Sequence, residues 1–329
     1  MSLLAPTLEA FFTERLLTQR QASRRTVTAY RDALRLLVSF ACQRSGKTPS
    51  RLDISDLDAA LVSSFLSHLE SDRHNAVSTR NARLAAVHSL FRFAALRHPE
   101  HAEVIQRVLD IPAKRHQQVE VSFLGQAEVD ALLETPDRTT WIGRRDHALL
   151  VLAVQTGLRV SELTGLSCAD LHLGGGPHVR CHGKGRKDRA TPLTAQTVAV
   201  LRVWLQERWG GPAEPLFPSR RGGAMSPDAV EWLLHRYCTA ASSRCPSLSA
   251  KKLTPHVLRH TCAMNLLQAG VDISVIALWL GHESVQTTQI YLHADMKLKE
   301  QALARTAPLG TDPGRYHPPD PLLAFLEAL

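Results

Sequence analysis

The chain has 329 residues, a length at which a single hydrophobic core tends to split in two. Hydrophobic residues make up 44%, enough for a sizeable core, while aromatics at 5% are too sparse for binding that relies on stacked aromatic platforms. Lys and Arg number 39 against 31 Asp and Glu, a formal charge of +8 that suits a polyanion such as nucleic acid and equally an ordinary basic enzyme.

The opening MSLLAPTLEAFF has no basic stretch and meets Glu9 early, so no secretory signal is expected. No uninterrupted apolar run reaches the ~20 residues of a membrane span. The cysteines at 42, 168, 181, 238, 245 and 262 form no C-x-x-C pair, which argues against a disulfide framework or a zinc site. The expectation is a soluble protein of a reducing cytoplasm.

The first third reads as helices. Over 26–43, Val27, Tyr30, Leu34, Leu37 and Ala41 fall on one face, and over 79–97 so do Leu84, Val87, Phe91 and Ala94. Asp53, Asp56 and Asp58 precede a further helix through Phe65 and Leu69, and a short one is expected near Glu100 to Leu109. Residues 1–120 carry 17 Lys and Arg against 12 Asp and Glu, an excess of five. Arg24, Arg25, Arg80 and Arg83 lie near helix starts, where they could meet backbone phosphates or simply form a solvated face. The polar, proline-broken segment 111–118 reads as a linker.

Helices are expected again over 126–135 and 143–156. Two short strands, 178–182 and 189–193, then flank Gly183-Lys184-Gly185-Arg186-Lys187-Asp188, the pattern of a β-hairpin loop. Further helices are expected over 195–208, 226–241, 255–269, 272–280 and 284–292. Thr254-Pro255 supplies an N-cap followed by proline at the first helical position. Residues 308–321 read as a Pro- and Gly-rich tether, and 321–329 as a short apolar tail.

Several polar residues of the second half stand in distinctive places: Arg159 in TGLRVSEL, Lys184 in the hairpin, His256, Arg259 and His260 in PHVLRHT, His282 after Gly281, and Tyr291 nine residues later. Spacings of three and four put His256, Arg259 and His260 on one helical face, and Glu162 could lie beside Arg159. Taken singly, each has an ordinary structural reading. Two phosphate-loop look-alikes fail: Ser45-Gly46-Lys47-Thr48 has alanine at position 41, and Gly183-Lys184 is followed by Gly185. The pair His256 and His260 could suggest zinc, but Arg259 beside them would repel a cation.

TGLRVSEL, GKGRKDRATPL, LTPHVLRHTCA, LGH at 280–282 and Tyr291 resemble, in order and spacing, the blocks of the tyrosine recombinase or phage integrase family. TVTAYRDALRLLVSFA loosely resembles the family's core-binding domain. The resemblance implies a mainly α fold with a small β-sheet: a helical core-binding domain over 1–112, a linker over 113–120, an α+β catalytic domain over 121–307, and a tether and tail over 308–329. It implies a site-specific DNA recombinase needing neither metal nor cofactor, which cuts and rejoins strands through a 3′-phosphotyrosine. Arg159 and Arg259 would hold the phosphoryl oxygens as planar forks. His256 and His282 would add donors or handle the tyrosine proton, Lys184 would protonate the leaving 5′ oxygen, and Tyr291 would attack. Glu162 and His260 would support them.

Arg24, Arg25, Arg80, Arg83, Arg186 and Lys187 are candidate DNA contacts. The two domains would clamp double-stranded DNA, four protomers would assemble on two duplexes, and residues 320–329 could dock on a neighbour. A type IB topoisomerase would share the chemistry without exchanging partners. A noncatalytic DNA-binding relative is a third reading, which the intact residue set disfavours.

Overall fold

Apolar residues at helical spacing set most of the elements, and a capping side chain precedes several of the helices. The computed structural model describes residues 3–115, 121–182, 188–208, 210–282 and 284–294. The chain divides into two compact units, Met1–Val119 and Glu120–Leu329.

In the first unit, α1 (Leu4–Ala10) runs into a π-helical stretch, Phe11–Gln19. It is followed by α2 (Arg24–Ser45), α3 (Ala59–Ser71), α4 (Val77–Ala95) and α5 (Ala102–Leu109). Helix α2 starts where the Ser23 side chain accepts the Thr26 N–H and stops at Gly46 in the left-handed region. Asp58 caps α3 in the same way, accepting from Leu61 N–H. The expected faces are buried: Leu34, Leu37 and Ala41 of α2 and Leu84, Val87, Phe91 and Ala94 of α4 share one core with Phe65 and Leu69. Val27 and Tyr30 sit at its rim, Tyr30 stacking on the buried Phe11 at 6.3 Å.

The second unit opens with α6 (Gln126–Leu133), α7 (Trp141–Thr156) and α8 (Val160–Thr164). A three-stranded antiparallel sheet follows: β1 (Leu171–His172), β2 (His178–His182) and β3 (Asp188–Pro192), in that spatial order. Its register pairs Cys181 with Arg189. Then come α9 (Ala195–Glu207), α10 (Pro227–Ala241), α11 (Pro255–Gln268), α12 (Ile273–Leu280) and α13 (Ile290–Ala294). Helix α7 is apolar on several faces and buries Ala148, Leu149, Leu150, Leu152 and Ala153. A helix of that kind belongs in the interior, and α7 packs against both α9 and α11. Each fully buried leucine contributes about 1.5–3 kcal/mol.

One expectation needs correction. The stretch 284–292 is not one helix but a 3₁₀ turn, Val285–Thr287, followed by α13. Ser284 accepts from Gln286 N–H and tightens the turn, and β-branched Thr287 and Thr288 favour the break. The six cysteines are free thiols. No helix of the described residues is long and apolar enough to cross a membrane.

Candidate active site

Two helix ends meet at the centre of the site. Helices α7 and α12 both stop at left-handed glycines, Gly157 with φ +63° and Gly281 with φ +64°. Gly157 is also needed for space: a Cβ there would lie 2.8 Å from Leu280 Cδ2 and 3.0 Å from Cys262 Cβ. Arg259, from the first turns of α11, closes this junction. Its Nη1 donates to Gly157 O and its Nη2 to Leu280 O, both at 2.7 Å. A cation is favoured there because unpaired carbonyls and the negative end of the macrodipole collect at helix C-termini. Arg159 reaches the same place, with Nη2 donating to Gly281 O at 2.8 Å.

Arg259 is 5% exposed. Burial, and then the neighbouring Arg159, push its guanidinium down to about 10, still cationic at neutral pH. A guanidinium has five N–H donors. The bonds to Gly157 and Leu280 use two of those of Arg259, so others can face an oxyanion.

Glu162 holds Arg159 from behind. Its carboxylate accepts Arg159 Nη1 and the Arg159 backbone N–H, both at 2.8 Å. The same carboxylate accepts a two-pronged contact from Arg189 of β3, Nη1 at 2.9 Å and Nη2 at 2.7 Å. Burial pushes the Glu162 carboxyl up, but hydrogen bonds from Arg189 and Arg159 outweigh it and hold the group below its ordinary value. The contact with Arg189 is not among the sequence expectations. Its signal in the sequence is thin, a basic residue in a basic hairpin block.

Tyr291, from α13, is 1% exposed and packs with Ala263, Met264, Ile276 and Leu280. Its hydroxyl lies 3.0 Å from His260 Nδ1, one turn along α11 from His256. Burial raises the Tyr291 phenol to about 12, although Arg259 pulls the other way. Burial, helped by His256 and Arg259, lowers His260 to about 4, so the imidazole is neutral at pH 7. His282 follows Gly281, with Nδ1 2.7 Å from Thr288 Oγ1. Burial and then Arg259, Arg159 and Arg189 lower it to about 4 as well.

The structure therefore brings Arg159, Glu162, Arg259, His260, His282 and Tyr291 into one region. It differs from expectation over the tyrosine proton: His260, rather than His256 or His282, touches the Tyr291 hydroxyl. His256 is exposed on the first turn of α11, its ring 6.5 Å from that of His260. Lys184, Arg186 and Lys187 lie outside the described residues.

In the first unit, Arg24 and Arg25 are exposed at the start of α2. Arg80 is a correction. It is buried, and its guanidinium donates to Asn81 Oδ1 and to Pro112 O at 3.1 Å, because α4 packs that face against the chain after α5. Arg83 is half-buried, and its Nη1 has no hydrogen-bond partner among the described residues.

Residues 122–297 match the model of the phage integrase family, and residues 10–98 that of the phage integrase N-terminal SAM-like domain. The chain belongs to the phage integrase family. It is 55% identical to a Sinorhizobium fredii protein named as an integrase/recombinase, y4rC, over 99% of this chain and 98% of that one. It is 33% identical to the tyrosine recombinase XerC of Pelobacter propionicus, over 85% of this chain and 88% of that one. In fold it is similar to the XerH site-specific recombinase in a post-cleavage complex with a palindromic difH substrate, with a TM-score of 0.69 and 24% identity over 87% of this chain and 81% of that one. It is similar too to the Tn1549 transposon integrase in complex with a circular intermediate DNA, with a TM-score of 0.68 and 16% identity over 90% of this chain and 98% of that one. This family member is a tyrosine site-specific recombinase, an enzyme of DNA recombination.

Proposed function

We propose that the enzyme cleaves and rejoins double-stranded DNA through a 3′-phosphotyrosine on Tyr291, exchanging strands between two duplexes. The observation that carries this reading is the Tyr291 hydroxyl set 3.0 Å from a neutral imidazole, on the helix that also supplies Arg259. The phenol oxygen attacks phosphorus, its proton passes to His260, and the P–O5′ bond breaks. Lys184 supplies the proton that turns the leaving oxygen into a 5′ hydroxyl, an assignment that rests on its place in the hairpin block. Arg159 and Arg259 stabilise charge on the nonbridging oxygens, with His282 as a further donor. Rejoining reverses these steps, so the phosphodiester is conserved.

In the arrangement described, the proton stays on Tyr291, because burial disfavours both phenolate and imidazolium. With Tyr291 1% exposed, α13 has to shift for its oxygen to meet a phosphate. DNA binding is the event we assign to that shift. The working assembly on this reading is a tetramer on two duplexes in the cytoplasm. The segment 320–329, assigned to contact with a neighbouring protomer, lies outside the described residues.

The test is covalent trapping. Duplexes from the protein's own genetic neighbourhood, each nicked near a candidate site, are incubated with the protein without divalent metal. An adduct that survives denaturant is expected with wild type and not with Tyr291→Phe. An adduct persisting in Tyr291→Phe would remove the nucleophile assignment, and transfer of the labelled strand to a second duplex separates a recombinase from a nicking and resealing enzyme.

A further inference from the structure

We infer that Arg189 is a positioning residue that neutralises Glu162 so that the charge of Arg159 stays available to the reacting phosphate. This rests on the strand-cleaving reading above. Glu162 is a buried carboxylate, its side chain 4% exposed, and among the described residues it accepts four hydrogen bonds, two from Arg159 and two from Arg189. Arg159, Glu162 and Arg189 together carry a net charge of +1.

Without Arg189, Arg159 and Glu162 would cancel, and a buried carboxylate with one partner would draw that partner inward. The part of Arg159 still open to solvent, its side chain 29% exposed, is the part a phosphate oxygen would have to reach.

The Arg189 fork is also placed with little freedom. Its guanidinium lies on the bare Cα of Gly281, where a Cβ would stand 2.6 Å from Nη1. Gly281 O is in turn the acceptor for Arg159 Nη2. One guanidinium therefore braces both groups that orient Arg159, the carboxylate on one side and the turn before His282 on the other. The backbone of β3 fixes the origin of the side chain through the pairing of Arg189 with Cys181.

The experiment uses the nicked duplex on which the wild type forms its adduct, at saturating protein, so that the rate of adduct formation is read apart from the Kd for DNA. Arg189→Gln should slow adduct formation by ~10–100-fold, the scale of a lost charge-assisted contact, with the Kd within about threefold of wild type. Removing the opposing charge should undo the effect: Glu162→Gln combined with Arg189→Gln should be faster than Arg189→Gln alone and within about threefold of Glu162→Gln. A residue that merely supported the fold would slow the reaction in both backgrounds. A wild-type rate in Arg189→Gln, or a double variant much slower than Glu162→Gln, overturns the inference. Should Arg189→Gln fail to fold, the comparison between Glu162→Gln and the double variant, which leaves no lone buried charge, still decides it. No Tyr291-dependent adduct in the wild type would overturn the cleavage reading and this inference with it.

Discussion

His260 and His282 are polar side chains held in an environment that refuses their charged forms. Burial is the first cause in each case, and both are lowered from 6.5 to about 4. Their contribution to pH dependence has a definite sign. Between about 4 and 6.5 the unfolded chain binds protons at these positions and the folded one does not, so stability rises with pH through that window and falls as acid is added. Above it neither form is protonated and the effect is flat. His88 and His147 are lowered by burial too, so four imidazoles among the described residues share the slope. Glu162 and Glu128, held below their ordinary value of 4.5, act lower: their stabilisation is lost as pH falls below that value. Melting temperatures measured from pH 8 to pH 4.5 should therefore be level at first and then fall below about 6.5. In a variant carrying His260→Gln and His282→Gln, roughly half of that fall or more should disappear. An unchanged slope in this variant would mean that the two rings are protonated in the folded enzyme.

The junction of α7 and α12 shows what an element can and cannot announce about itself. Gly157→Ala would force a left-handed alanine and set its Cβ 2.8 Å from Leu280 Cδ2 and 3.0 Å from Cys262 Cβ. Gly46→Ala in α2 carries the same backbone strain, φ +70°, with nothing within 4 Å. Denaturant unfolding should place the Gly46 variant about 1 kcal/mol below wild type and the Gly157 variant a further ~1–3 kcal/mol lower. Equal costs would show that α12 yields at no expense. The Gly157 variant should also form adduct more slowly, because the displaced carbonyl is an acceptor for Arg259. The apolar faces of α2 and α4 are visible in the sequence, since helical periodicity is local. The contact that makes Gly157 differ from Gly46 joins residues more than a hundred positions apart, and no periodicity encodes it. The two-residue strand β1 has no signature in the sequence because it exists only through its pairing with β2. The break before α13 is hidden in the sequence because it depends on Ser284 closing a turn and on Thr288 meeting His282. In the site, spacing placed His256, Arg259 and His260 on one helix face. Which of them meets a tyrosine from another helix depends on how α13 packs on α11, and spacing says nothing of that.

Across the whole molecule the net charge of +8 is spread unevenly, with an excess of five positive residues in the first 120. Helix energetics does not explain where two of these lie. Arg24 and Arg25 occupy the first turn of α2, which contains no acidic residue, and both are exposed. A cation at a helix N-terminus faces the positive end of the macrodipole and costs about 0.3–1 kcal/mol. Phosphate contact would account for keeping them, and it predicts opposite signs for two measurements on one variant. Replacing both by alanine should leave the melting temperature unchanged or raised, as relief of the dipole clash requires. The same variant should bind duplex DNA more weakly, and the plot of log affinity against log salt should become shallower by about 2, since each phosphate contact contributes roughly 0.9 to that slope. Titrating labelled duplex at several salt concentrations between about 50 and 200 mM resolves a difference of that size. A slope that does not change would take both arginines off the phosphate backbone. A lowered melting temperature would assign them a structural part that the exposed first turn of α2 does not display. The loss should be nearly uniform across DNA sequences, because a phosphate contact positions the protein on the duplex without reading a base.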